Sequence, residues 1–367
     1  MTASPLLGDL IRAVVGLVVV TVGADLLVRG ATRLAARLGV PALLVGLTVV
    51  ALGTSAPEIA VSVDAAIAGR GDVALGNVVG SNIFNVLFIL GVSALAAPLV
   101  VKSQLVRLDV PIMVVVSALP LVFGFDRLIS RVDGIVLLGL LVAYLALLGV
   151  LALRGRMAVP AFDDTLAPDP GSSPWVDVAI AVGGLALLIA GADARVAGAT
   201  ALARAAGVSE LVVGLTLVAA GTSLPELATS LVASLRGQRD LAVGNVVGSN
   251  VFNVLAVLGT GAAVGDGIDV AAGVLLFDFP VMLAVAVACL PVFVTGASIS
   301  RREGAVFVLY YVLYAVYLGL HTADHPFEEE FGIAVLGVVL PLTITVAAAM
   351  WMRGTDDADG RAASPPG

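Results

Sequence analysis

The sequence predicts an all-α polytopic membrane protein made of two inverted five-helix repeats and an extra C-terminal helix, about eleven spans. Three observations carry this. Of 367 residues, 60% are hydrophobic and 13% charged, with a mean hydropathy of +1.10; a soluble domain would carry about 25% charged residues. Apolar stretches of about 20 residues, enough to cross roughly 30 Å of hydrocarbon, recur from end to end. The second half of the chain also repeats the first. The apolar runs are continuous rather than alternating, which excludes a transmembrane β-barrel.

Taken in order, spans are expected near 9–28, 40–67, 72–96, 106–124 and 131–153. The first carries Gly23-Ala24-Asp25. The second contains VGLTVVALGTSAPE at Val45–Glu58, and the third GNVVGSNIFNVL at Gly76–Leu87. The fourth opens on Asp109-Val110-Pro111, and the fifth holds Tyr144. The stretch 154–174, RGRMAVPAFDDTLAPDPGSSP, is rich in Pro, Ser and Asp and reads as a cytoplasmic linker after a first repeat at 1–153. A second repeat at 175–320 then restates the pattern in spans near 175–195, 208–235, 240–264, 273–297 and 300–320. It carries Gly191-Ala192-Asp193, VGLTLVAAGTSLPE at Val213–Glu226, GNVVGSNVFNVL at Gly244–Leu255, Asp278-Phe279-Pro280 and Tyr314. The offset is 168 residues from Glu58 to Glu226 and from Asn77 to Asn245. The remaining 321–367 supplies an unpaired eleventh span, 331–352, and a polar tail.

Five spans per repeat is an odd number, so a second copy starts from the opposite face. The repeats must then be inverted about an axis in the membrane plane, an arrangement typical of secondary transporters. One set of connections holds eleven Lys and Arg, among them Arg29, Arg33, Arg37 and Arg236; the other holds five, among them Arg70 and Arg131. The richer set belongs in the cytoplasm. The N-terminus is therefore expected outside and the C-terminus inside, in the plasma membrane (bacterial inner membrane).

Composition also excludes several functions. The single cysteine, Cys289, leaves no intrachain disulfide and no thiolate cluster. His321 and His325 share one polar connection, away from midmembrane chemistry. The net charge of −8 comes mostly from polar segments and points to no nucleic acid or other partner. No cleavable signal peptide is expected. Without a phosphate-binding loop or a catalytic constellation, the chain reads as no enzyme, with no cofactor and no obligate protein partner.

The residues that carry chemistry sit where a spanning helix wants none of them. Pro57 removes the N–H that would bond the carbonyl of Gly53, and Pro225 does the same to Gly221. Irregular backbone at membrane depth is tolerated where it lines a cavity or packs in protein. Glu58 and Glu226 follow, and inverted symmetry brings them together near the midplane. A carboxylate there costs at least about 2.5–3.5 kcal/mol, which a cation between the two would offset. Thr54 and Ser55 lie one turn before Glu58, as Thr222 and Ser223 do before Glu226. Asn77, Ser81 and Asn85 are spaced i, i+4, i+8 on one helical face, and Asn245, Ser249 and Asn253 repeat that stripe. Asn77, Asn82, Asn245 and Asn250 either line the site or bond helix to helix. Carboxylate, amide, hydroxyl and backbone oxygens, without His or Cys, suit Ca2+ or Na+ rather than zinc or copper. Asp25, Asp193, Asp109 and Asp278, near span ends, are expected to be solvated, capping or orienting.

In two copies, GLT-x-VA-x-GTS-x-PE followed by GNVVGSN-x-FNVL resembles the α-repeats of the sodium/calcium exchangers, within the cation/calcium exchanger superfamily. The resemblance implies a bacterial-type antiporter of Ca2+ and Na+ in which Glu58 and Glu226 ligate calcium and take part in sodium binding. It implies backbone oxygens around Ala51, Thr54, Ala219 and Thr222 as further ligands. It places Ser55, Ser81, Ser223 and Ser249 at flanking sodium sites and Asn85 and Asn253 between the two Glu. It also implies that spans 1 and 6 slide against the rest to switch access. Several family members have Asp at one of the two central positions, where this sequence has Asn at both. A Ca2+/H+ exchanger using the same Glu pair is the alternative reading.

Overall fold

In lipid, a backbone without water must satisfy its N–H and C=O groups internally, and a helix does this within one segment. The computed structural model describes residues 3–100, 104–154, 173–205, 219–296, 298–322, 327 and 332, and helices dominate it. The first half runs as α1 (Ala3–Leu38), α2 (residues 42–54), α3 (Ala56–Ile67), α4 (Gly71–Ala96), α5 (Leu105–Asp126) and α6 (Arg131–Leu153). The second runs as α7 (Pro174–Ala205), α8 (Ala219–Thr222), α9 (Leu224–Leu235), α10 (Arg239–Val264), α11 (residues 274–296) and α12 (Arg301–Thr322).

Among the described residues, ten of the expected spans contain helix. Seven helices are long and apolar enough to cross a membrane, and α2 with α3 forms one further, bent span. The eleventh span at 331–352 apart from residue 332, most of the linker and the start of the seventh span lie outside the described residues. Two expected boundaries were short. α1 continues to Leu38 rather than ending near 28, and α7 continues to Ala205 rather than 195. At the end of α1 the hydropathy drops because Arg29, Arg33 and Arg37 appear, yet the helix persists because they find partners. Arg29 pairs with Asp25 at 2.9 Å, and Arg37 pairs with Asp177 of α7.

The breaks fall one step earlier than the prolines. α2 and α3 meet at Ser55 (φ −82°, ψ 5°) with a bend of 45°. Ser223 (φ −88°, ψ 10°) separates α8 from α9 in the same way. Pro57 and Pro225 thus occupy the first turns of α3 and α9, where a missing N–H leaves no helical carbonyl wanting.

α1 and α7 pack backbone to backbone and antiparallel. Gly16, Gly23 and Gly30 on one helix, and Gly184, Gly191 and Gly198 on the other, recur every seven residues. A Cβ on Gly16, Gly23 or Gly30 would lie 2.5 Å from the backbone nitrogen of Arg195, Leu188 or Ala181. Only glycine allows that approach. α4 and α10 form the centre: the apolar window of α10 is wholly buried, while α6 and α12 are mostly exposed at the rim. Two short antiparallel clasps join the halves. β1 (Leu99–Val100) pairs with β4 (Ser298–Ile299), and β2 (Leu128–Ile129) with β3 (Ile268–Asp269). α6 and α12 start alike, through reciprocal Ser130–Asp133 and Ser300–Glu303 caps.

Candidate ion-binding site

The broken helices place two carboxylates at the N-termini of half-helices. Glu58 lies in the first turn of α3 and Glu226 in the first turn of α9, where the helix dipole favours negative charge. Both are 1% exposed. Their hydrogen bonds cross between the halves: Ser223 Oγ donates to Glu58 Oε1 at 3.1 Å, and Ser55 Oγ donates to Glu226 Oε1 at 3.2 Å. Those serines are the residues at the breaks, so leaving the helix is what turns each hydroxyl toward the opposite glutamate.

α4 and α10 hold the broken backbone in place. Asn77 Nδ2 donates to the Glu58 carbonyl at 3.1 Å and to Ser62 Oγ at 2.9 Å; Asn245 Nδ2 donates to the Glu226 carbonyl at 3.4 Å and to Ser230 Oγ at 2.9 Å. Across the halves, Thr222 Oγ1 donates to Asn77 Oδ1 and Thr54 Oγ1 to Asn245 Oδ1, both at 3.3 Å. Asn77 and Asn245 therefore tie helix to helix. Ser62 and Ser230 were overlooked in the sequence, although their spacing of 168 marks them as repeat partners.

The remaining candidates lie on α2, α4, α8 and α10. Ser81 Oγ lies 3.0 Å from Ser223 Oγ, and with the Ser223 hydrogen given to Glu58 it is Ser81 that donates. Asn85 begins the π-helical stretch of α4, one residue in, and Asn253 opens that of α10; such one-turn insertions are frequent at functional sites. Asn85 Nδ2 donates to Asn250 Oδ1, and Asn253 Nδ2 to Asn82 Oδ1, each at 3.0 Å. The Ala51 carbonyl accepts from Ser55 N at 3.0 Å. Of Ala219, only its place at the start of α8 is described.

Among the candidate site residues, five buried oxygens are left without a hydrogen-bond partner: Glu58 Oε2, Glu226 Oε2, Asn85 Oδ1, Asn253 Oδ1 and Ser249 Oγ. An acceptor buried without a donor costs about 1–3 kcal/mol, more when charged. Four of these five form two repeat-related pairs. Among the described residues no Lys, Arg or His pairs with either glutamate, and no third His, Cys, Asp or Glu joins them. Two carboxylates and neutral amide oxygens fit a hard cation with oxygen ligands.

Gly244 and Gly248 of α10 lie beneath α2: a Cβ at Gly248 would meet that of Ala51 at 2.8 Å, and one at Gly244 the Leu43 carbonyl at 3.0 Å. Asn245 is 0% exposed. On α4 the equivalent Gly76 is exposed and Asn77 half-buried, and residues 211–218, the repeat counterparts of the covering stretch of α2, lie outside the described residues.

Known proteins share this architecture. The family model described as sodium/calcium exchanger protein matches residues 9–150 and 176–320. The putative antiporter CaxA of Alkalimonas amylolytica is 40% identical over 314 residues, covering 83% of this chain and 96% of that protein. Sodium/calcium exchanger MaX1 of Methanosarcina acetivorans is 33% identical over 337 residues, covering 83% and 96%. A solved structure of the sodium-calcium exchanger NCX_Mj, soaked with 10 mM Na+ and zero Ca2+, superposes with a TM-score of 0.72 at 29% identity, covering 84% of this chain and 98% of that one. Both matched segments contain a broken helix, its glutamate and the asparagine-bearing helix that follows, and on those grounds the chain belongs to the sodium/calcium exchanger protein family.

Proposed function

We propose that this protein is a secondary antiporter that exchanges Ca2+ for Na+ across the plasma membrane, with both ions using overlapping positions between Glu58 and Glu226. The observation that carries the reading is the repeat-related set of unpartnered oxygens, Glu58 Oε2, Glu226 Oε2, Asn85 Oδ1 and Asn253 Oδ1. A single Ca2+ neutralises the two carboxylates. Sodium ions ligated by the same oxygens, with Ser55, Ser81, Ser223 and Ser249 alongside, compete with it.

Alternating access draws support from the packing. The close antiparallel α1–α7 pair is built to move as one body, and α2 covers the α10 wall of the site. With the arginine-rich connections inside, the N-terminus is external. In purified protein reconstituted into liposomes, with pH clamped on both sides, an imposed Na+ gradient is expected to drive saturable uptake of radioactive calcium. Uptake that ignores Na+ and follows a pH gradient would make H+ the counter-ion at the same glutamates. Flux that needs no counter-ion would overturn antiport.

A further inference from the structure

Four asparagines of α4 and α10 are linked in a row, Asn253–Asn82–Asn250–Asn85, beside the site. Asn82 Oδ1 accepts from Asn253 Nδ2, and Asn250 Oδ1 accepts from Asn85 Nδ2, both at 3.0 Å. The acceptors are themselves fixed. Asn82 Nδ2 donates to the Asn250 carbonyl and to Met282 Sδ, both at 3.4 Å. Asn250 Nδ2 donates to the Asn82 carbonyl at 3.4 Å and to Met113 Sδ at 3.5 Å. All four asparagines are at most 2% exposed.

An amide has a donor end and an acceptor end of nearly the same shape, so its environment decides which one faces a ligand. We propose that Asn82 and Asn250 are positioning residues that orient the Asn253 and Asn85 amides, so that both present oxygen rather than NH2 to the ion. Each takes up an NH2 group at the back of the site, and the opposite ends, Asn253 Oδ1 and Asn85 Oδ1, are the unpartnered oxygens at the front. A flipped Asn253 would set its oxygen against Asn82 Oδ1, acceptor to acceptor, and point a donor at the cation. Asn82 is held from flipping because its own NH2 bridges two groups that only accept. These bonds also suit asparagine rather than aspartate at both central positions, since a carboxylate could not donate to Asn82 or Asn250. This inference rests on the cation-site reading above.

The test is a double-mutant cycle read by calcium binding to the purified, folded protein, by calorimetry and by competition with Na+. Loss of an outer partner typically weakens metal affinity about 10–100-fold. Asn82→Ala is expected to weaken calcium binding about tenfold, as Asn253→Ala does, and the double variant is expected to be no weaker than either single. Asn250→Ala and Asn85→Ala form an independent second cycle if Asn82→Ala does not yield monodisperse protein. Unchanged binding in Asn82→Ala, or additive losses in the double variant, overturns the positioning role while leaving the cation site standing. Wild-type protein that binds no calcium overturns both.

Discussion

Glu58 and Glu226 each commit one carboxylate oxygen to a serine of the opposite half and leave the other free. Two consequences follow at this scale. Glu58→Gln or Glu226→Gln removes half the negative charge of a dry site. Coulomb attraction between charges about 4 Å apart is worth several kcal/mol even when protein screens it, so calcium affinity should fall at least about 100-fold and exchange should cease. Liposome flux checks this, and exchange surviving either change would remove that glutamate from the site. Ser55→Ala and Ser223→Ala are gentler. Each deletes one hydroxyl–carboxylate bond, worth roughly 0.5–1.5 kcal/mol net, so the apparent KM for calcium should rise about two- to tenfold. A bond that crosses between halves makes Ser55→Ala act through Glu226, so its effect should vanish in a Glu226→Ala background, which leaves no acceptor for the Ser55 hydroxyl, when calcium binding is measured. Glutamates, serines and prolines were legible in the sequence because polar groups inside an apolar run stand out, and stand out more when repeated. The crossing was not legible. Ser55 and Glu226 are 171 positions apart, and only the fold decides whether each serine meets its own glutamate or the other.

Helices show the same division between what a pattern declares and what packing decides. Hydropathy located ten helical spans, but ended α1 and α7 too early, because a window reads Arg29 and Arg37 as the end of a span. Their ion pairs with Asp25 and Asp177 keep α1 helical to Leu38. The glycines of α1 and α7 are visible in the sequence, but which of them touch is not. Adjacent glycines on α7 now separate the two cases. A Cβ on Gly184 would fall 2.8 Å from the Gly23 carbonyl and closer still to Leu27 N, whereas one on Gly183 meets nothing within 4 Å. Gly184→Ala must therefore push α1 and α7 apart, at an overpacking cost of about 1–3 kcal/mol. Gly183→Ala only gains helix propensity, about 1 kcal/mol in favour. Thermal unfolding of the purified protein should show a lower midpoint for the first and an equal or higher one for the second. Equal midpoints would mean that the two helices do not approach as described.

The whole molecule is two copies of one plan, so departures from symmetry set the two faces apart. Asp25 of α1 binds Arg29 on its own helix and Arg236 at the end of α9, linking the α1–α7 pair to the half-helix that carries Glu226. The repeat partners of Asp25 and Arg236 are Asp193 and Ala68. Asp193 is exposed, and alanine offers it nothing. One face of the protein thus has an ion pair between the paired helices and the core, and the opposite face has no equivalent between those two positions. If α1 and α7 slide together during transport, the Asp25–Arg236 contact holds one end of that stroke. Side chains 25% and 31% exposed make a modest pair, worth about 0.2–1 kcal/mol, or up to about a fivefold change in the balance of the two access states. Arg236→Gln should shift that balance toward the face on which Arg236 lies, lowering the apparent KM for calcium there and raising it on the other. Ala68→Arg, by giving Asp193 the partner it lacks, should restore equality between the faces in the wild-type background and reverse the bias when combined with Arg236→Gln. Calcium uptake by liposomes of one protein orientation, assayed from each side in turn, reads both effects. Identical shifts on the two faces would show that Arg236 changes calcium affinity itself rather than the balance between access states.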